Sequence, residues 1–279
     1  MSANSMKYFF LLLLIFSAGC EITSTVDYDF PDYQKRIAVT GFIGLGNRAE
    51  VYVSTSHLPL SLEKDSIYDA EVSLFADGKL VKNLIMESDS VYVTHDFLPE
   101  VDKAYSIKVN IEGFPEATSR SEIIPPPVKI DSVICFKNIE KEILVKTYFS
   151  DPAVKNYYAI KYIRSYNDTL VSETDTKYSI VNPGVAIDDK LFNSKNYFYE
   201  IKLNLNAGRF NNKPVFYNQL EVILFSLSKA GYEFFNSLDE MDLTNQDMYN
   251  SPTVIQSNIL NGYGIFSSYS TDTLKINLE

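Results

Sequence analysis

Tryptophan is absent from the 279 residues, there are 2 histidines and 2 cysteines, and 36 acidic side chains outnumber 25 basic ones. Each shortage removes a class of function. A net charge of -11 without clustered Lys and Arg excludes nucleic acid and anionic lipid as partners, because both demand neutralisation of phosphate. His57 and His95 form no two-histidine zinc motif, no serine occupies a nucleophile-elbow pentapeptide, and there is neither a phosphate loop nor a dinucleotide fingerprint. Each histidine follows a strand-like segment, which favours an exposed loop position over metal ligation. With Cys20 set aside, Cys135 has no partner for an intrachain disulfide, and its place in Val133-Ile134-Cys135-Phe136 predicts a buried, inert thiol. The missing Trp also weakens any carbohydrate platform, since it offers the largest stacking face.

Phe9 to Phe16 is an unbroken apolar run, far shorter than the ~20 residues that cross a bilayer as a helix. Lys7 precedes it, with Met6 the better-placed start, and Ser17-Ala18-Gly19 follow immediately before Cys20. A basic residue, a short apolar segment and small residues at the cut define a secretory signal. The cysteine at the junction turns it into a lipoprotein signal over residues 1–19, with diacylglycerol and an N-acyl chain expected on Cys20. No other cofactor is expected. The competing reading is an ordinary secretory signal with a coincidental cysteine, and Ser17, where Leu is commoner, speaks for it. Residues 20–35 are polar, lack any period and include Pro31, as suits a flexible tether.

From Arg36 the chain is rich in Val, Ile, Tyr and Thr. Apolar residues alternate at Val51 and Val53, at Val72 and Leu74, and at Ile107, Val109 and Ile111, which gives strands with one buried face. Asp77-Gly78 is a hairpin signal. The expected fold class is mostly β, with an immunoglobulin-like β-sandwich over 36–124 and a second β-rich domain over 130–279. Pro125-Pro126-Pro127 opens the stiff linker, 125–129, between them. One short helix is expected over about 229–241, capped by Ser228, with Tyr232, Phe235, Leu238 and Met241 along one side. A last strand is expected around Thr273 to Ile276. Acidic residues near the end of that helix, among them Asp239, Asp242 and Asp247, are weak calcium candidates. Their spacing fails the twelve-residue calcium loop, and a solvated helix terminus is the simpler account.

The segment SPTVIQSNILNGYGIFSSYS carries Pro252, Ser257-Asn258-Ile259, Gly262, Gly264, Phe266 and Tyr269. Upstream stand Asp69-Ala70-Glu71-Val72, Tyr105-Ser106-Ile107-Lys108-Val109, Ile130-Asp131-Ser132 after Pro127, and Asp151-Pro152 with Asn156-Tyr157-Tyr158. In these residues the chain resembles the Bacteroidetes lipoproteins known as domain of unknown function 4249. Asp69 stands where that family has Gly, and the Gly before the Tyr105 strand is missing; both departures touch turns. The resemblance implies an outer-membrane lipoprotein, often encoded beside a TonB-dependent transporter, with no established catalytic role. Ser257, Asn258, Gly262, Gly264, Phe266 and Tyr269 are the candidate structural or interaction motif. A demanding backbone corner around Tyr263, held by Asn258, is favoured over a ligand site.

The expected function is therefore a lipid-anchored accessory or binding protein that partners a TonB-dependent transporter in capture of an unidentified small molecule or peptide. The expected location is the outer membrane at its cell-surface face, with the periplasmic face as alternative. A structural or adhesive envelope lipoprotein is the second reading. A hydrolase with paired carboxylates in the second domain is the third, because such a pair is set by the fold and not by spacing. The Tyr-rich strands around Tyr157, Tyr158, Tyr162, Tyr166, Tyr197 and Tyr199 could supply core or interface.

Overall fold

Most of the alternating runs fold as strands, because β-branched and aromatic side chains pack well on a pleated, half-buried surface. The computed structural model describes residues 34–57, 69–137, 141–167, 170–171, 184–210, 212–244 and 253–278, with Lys35 to Glu279 forming one compact unit. The expected signal segment, Cys20, nearly all of the tether and Asp247 lie outside the described residues. In chain order the first strands are β1 (Ile37–Gly44), β2 (Ala49–Thr55), β3 (Glu71–Ala76), β4 (Lys79–Asn83), β5 (Ile85–Ser88), β6 (Val91–Val93), β7 (Ala104–Asn110), β8 (Ala117–Ser119) and β9 (Glu122–Ile123). Then come β10 (Ile130–Lys137), β11 (Glu142–Ser150), β12 (Tyr157–Tyr166), β13 (Leu170–Val171), β14 (Val185–Asp188), β15 (Asn196–Asn204), β16 (Asn206–Phe210), β17 (Lys213–Phe216) and β18 (Gln219–Leu227). Helix α1 (Lys229–Thr244), β19 (Ile259–Leu260) and β20 (Gly262–Asn277) complete the described elements.

One nine-stranded sheet forms the spine, in the order β13-β12-β18-β20-β1-β2-β6-β5 with β14 added on β12. Its inward-pointing residues belong to two cores. Val39, Val51 and Phe266 pack against Leu74, Ile107 and Val109 of a six-stranded sheet. Ile160, Val222 and Leu274 pack against Ile143, Val145 and Phe149 of the three-stranded sheet β10-β11-β15. On the opposite face Phe42, Ala159, Phe225 and Ile265 receive Phe234 and Phe235 of α1. The fold is thus mostly β and built of sandwiched sheets. Asp77 and Gly78, at φ 48° and 76°, form the expected β3–β4 turn, whose left-handed geometry suits the strand twist.

Sheet pairing corrects the division at the prolines. Residues 36–124 do not close a sandwich alone: β1 pairs in parallel with the first half of β20, from Ile37↔Gly262 to Gly44↔Tyr269, and β8 pairs with β19. Ile259 and Phe266 complete the first core. The second half of β20 pairs with β18 from Leu227↔Tyr269 to Gln219↔Asn277, so one strand serves both cores. A sheet edge leaves a row of unpaired backbone groups, and the returning C-terminal strand is what covers β1. Pro125 to Pro127 cross between the cores, from Ile124 in the first to Val128 in the second. There the spine carries small polar residues that meet the crossing backbone. Ser268 Oγ donates to Ile123 O at 2.7 Å, Val128 N to Ser226 Oγ at 3.3 Å, and Ile130 N to Asp272 Oδ2 at 2.8 Å.

The helix also differs from expectation. It runs to Thr244, and Phe234 joins Phe235 and Leu238 on the packed side, because covering a sheet needs a wider apolar stripe than one three-residue row. Ser228 Oγ accepts from Gly231 N at 3.3 Å, an N-cap bond. A Cβ on Gly231 would lie 2.3 Å from Ser267 Oγ, so this glycine allows the helix to lie close on β20.

Candidate functional site

The segment expected to form a corner is the start of a sixteen-residue strand. Gly262 and Gly264 serve close packing within the sheet. A Cβ on Gly264 would lie 1.9 Å from Val39 O, and its φ of +106° disfavours any other residue. At Gly262 a Cβ would lie 2.7 Å from Ile37 O. Phe266 is fully buried in the first core. Tyr269 packs over Gly44, where a Cβ would come within 2.5 Å of its ring, and lies 5.7 Å from Phe225.

Where β18 does not reach, the free edge of β20 is paired by Asn258. Its backbone N donates to Gly264 O at 3.2 Å; its Oδ1 accepts from Phe266 N at 2.9 Å, and its Nδ2 donates to Phe266 O at 2.7 Å. One amide side chain thereby replaces a neighbouring strand. The same Nδ2 donates to Glu122 Oε1 at 3.1 Å, and Ser228 N continues the edge by donating to Ser268 O at 2.9 Å.

Beside this junction opens a cleft of ≈ 600 Å³. One wall is Arg120 to Ile123 with Pro125 and Pro126; a second is Val154 to Tyr157; the floor is the β18–α1 junction with Ile265, and Gln256 to Asn258 close the end. Ser257 and Asn258 are the members of the sequence motif that line it; Gly262, Gly264, Phe266 and Tyr269 do not. Burial pushes the Glu122 carboxyl above its ordinary range, opposed by hydrogen bonds from Ser228 and Asn258 and reinforced by the charge of Glu233. Glu233 pairs with Lys229 at 3.2 Å. Among the described residues Arg120 has no ion-pair partner, and its backbone N donates to Asn258 O at 2.9 Å.

Two buried carboxylates hold the second wall. Asp189, fully buried, accepts from Asn156 N at 2.6 Å and from Lys155 Nζ. Asp151 accepts from Tyr158 Oη at 2.5 Å and from Ser194 N at 2.8 Å, and burial with that bond pushes the Tyr158 hydroxyl far above its ordinary range. Tyr157 stacks on Tyr232 with centroids 4.8 Å apart, and Lys155 Nζ lies 5.1 Å from the centre of the same ring.

The other expected residues lie elsewhere. His57 is half-buried, His95 is exposed, and neither lines the cleft. Cys135 is half-buried on the inward side of β10, with burial pushing its thiol up, so the expected full burial is corrected. It sits on the outermost strand of its sheet, where the core thins. Among the described residues no group of three or more His, Cys, Asp or Glu could hold a metal ion; Asp239 is exposed, and only the backbone of Asp242 is described. Tyr158 and Tyr162 are core, Tyr197 and Tyr199 pack partly against it, and Tyr166 is exposed. Arg120, Glu122, Lys155, Lys229 and Glu233 escaped the sequence reading because they belong to no motif; the polar run Ser119 to Glu122 just ahead of the prolines was the signal available.

These features define a β-sandwich protein of several sheets with an open cleft at the crossing between its two cores. The chain belongs to the family described as Domain of unknown function (DUF4249), whose model matches residues 23–275. No curated protein matches it. Among solved structures it is similar to the FN1–FN3 domains of chicken CNTN1, at 17% identity and TM-score 0.31, over 88% of this chain and 67% of that one. It is also similar to the adhesin InvE of Yersinia pseudotuberculosis, at 11% identity and TM-score 0.21, over 70% of this chain and 57% of that one. Both superpositions are loose, and neither bears on what this chain does.

Proposed function

We propose that this protein is a lipid-anchored envelope module that binds and presents a ligand beside an outer-membrane transporter of the TonB-dependent class. The observation that carries the binding reading is the cleft, a concave site of ligand size with converging polar groups. The membrane setting rests on the lipoprotein signal expected over residues 1–19, directly before Cys20. Anchoring confines both partners to one surface, so a weak docking contact suffices. The outward side of β10-β11-β15 offers such a contact: Ile134, Phe136 and Phe198 are 42%, 51% and 45% exposed, and apolar surface of this kind marks protein interfaces.

Crosslinking in intact cells should recover a TonB-dependent transporter with the native protein and lose it with Phe136→Glu. Recovery of further copies of this chain, or of envelope polymer, would replace the transporter by the adhesive reading. Glu122 and Glu233 in one cleft support the carboxylate-based hydrolase reading, with one carboxylate ahead of the prolines and not both in the second half, since a carboxyl raised by burial suits a general acid. Release of reducing ends from envelope polysaccharide, abolished by Glu122→Gln, would establish it.

A further inference from the structure

We infer that the cleft takes a soluble, extended oligopeptide. This rests on the binding reading above but not on the transporter. Its lining interleaves both signs of charge, with Arg120 and Lys229 beside Glu122 and Glu233, and adds the amides Asn156 and Gln256. A peptide presents the complement: backbone groups that donate and accept, and charged termini or side chains of either sign. Ile123, Val154 and Pro126 supply apolar surface between the charges, and Ile123 and Val154 are 55% and 62% exposed.

Other ligands fit less well. A polyanion would meet Glu122 and Glu233, and Lys155 is already paired with Asp188 and Asp189. A sugar needs an aromatic face, and the ring of Tyr157 already engages both Tyr232 and the Lys155 ammonium. Among the described residues Arg120 is exposed and without an ion-pair partner, which leaves it a cation open to a ligand carboxylate.

The test is calorimetric titration of the purified lipidated protein with defined hexapeptides, one acidic, one basic and one neutral, alongside maltohexaose and inorganic phosphate. Peptides should bind, with maltohexaose and phosphate silent. Arg120→Glu should weaken the acidic peptide by about tenfold and spare the basic one, and Glu233→Lys should do the reverse, because like charges in a binding site repel. Both side chains are solvent-accessible, and unchanged melting temperatures would show that the variants fold. Absence of peptide binding, binding indifferent to both substitutions, or binding of maltohexaose in place of peptide would overturn the inference. Peptide binding without transporter recovery in cells would uphold it and overturn only the transporter partnership.

Discussion

A single amide, that of Asn258, pairs both backbone groups of Phe266 and bonds Glu122 as well. Asn258→Ala would leave both backbone groups of buried Phe266 unpaired, a loss of about 2–4 kcal/mol in unfolding free energy by denaturant titration. Asn258→Asp keeps the acceptor for Phe266 N but turns a carboxylate toward Phe266 O and Glu122, so its stability should recover as the pH falls and that carboxyl takes up a proton. Glu122 gives a pH dependence in the native protein. Because burial raises its pKa, the folded chain holds this proton more tightly than the unfolded one. The associated stability is fully present below the ordinary carboxylate range and is lost as the pH climbs through the raised value. Glu122→Gln keeps an oxygen for Asn258 and removes the titration, so relative to the native protein its stability should increase across that window; thermal melts at several pH values would show it. Gly264→Ala would force a Cβ against Val39 O at a φ of +106°, costing on the order of 3 kcal/mol or more. Gly46→Ala, at φ +72° with open space around it, should cost about 1–2 kcal/mol.

At the scale of elements, α1 and β20 decide how the two cores become one body. The helix seats Phe235 on Phe42 with rings stacked at 5.7 Å, and Phe234 joins Ile265 and Leu227 in the same cluster. Phe235→Ala should cost about 3–5 kcal/mol, and hydrogen exchange should quicken first in α1 and in the first turn beside the cleft. The alternation in β7 was plain in the sequence, since Ile107 and Val109 face one core and Ile111, just past the strand, packs partly against it. The motif around Tyr263 was not legible as a strand. Two glycines and an asparagine are turn residues by local preference, and only contact with β1 shows that they permit close packing of strands. The tyrosines were ambiguous for a related reason: a period of two assigns faces to a strand but not which face another layer will cover.

For the whole molecule, replacing Cys20 by Ser should abolish radiolabelled palmitate incorporation and release the protein from the membrane fraction, if acylation there is the anchor. The order of residues along the chain was enough to determine the mostly β class, the prolines between two strand-rich halves, the capped helix and the family motif. Each of these is written in short-range period and turn chemistry. Tertiary structure alone decided that β20 runs beside both β1 and β18, that Asn258 fills the place of an absent strand, and that Arg120, Glu122 and Glu233 share a cleft. The pairing of β1 with β20, the meeting of Arg120 and Glu122 with Glu233, and the bond between Glu122 and Asn258 all join positions more than a hundred residues apart. No local period encodes such a meeting; it follows from the returning strand that satisfies the exposed edge of the first one.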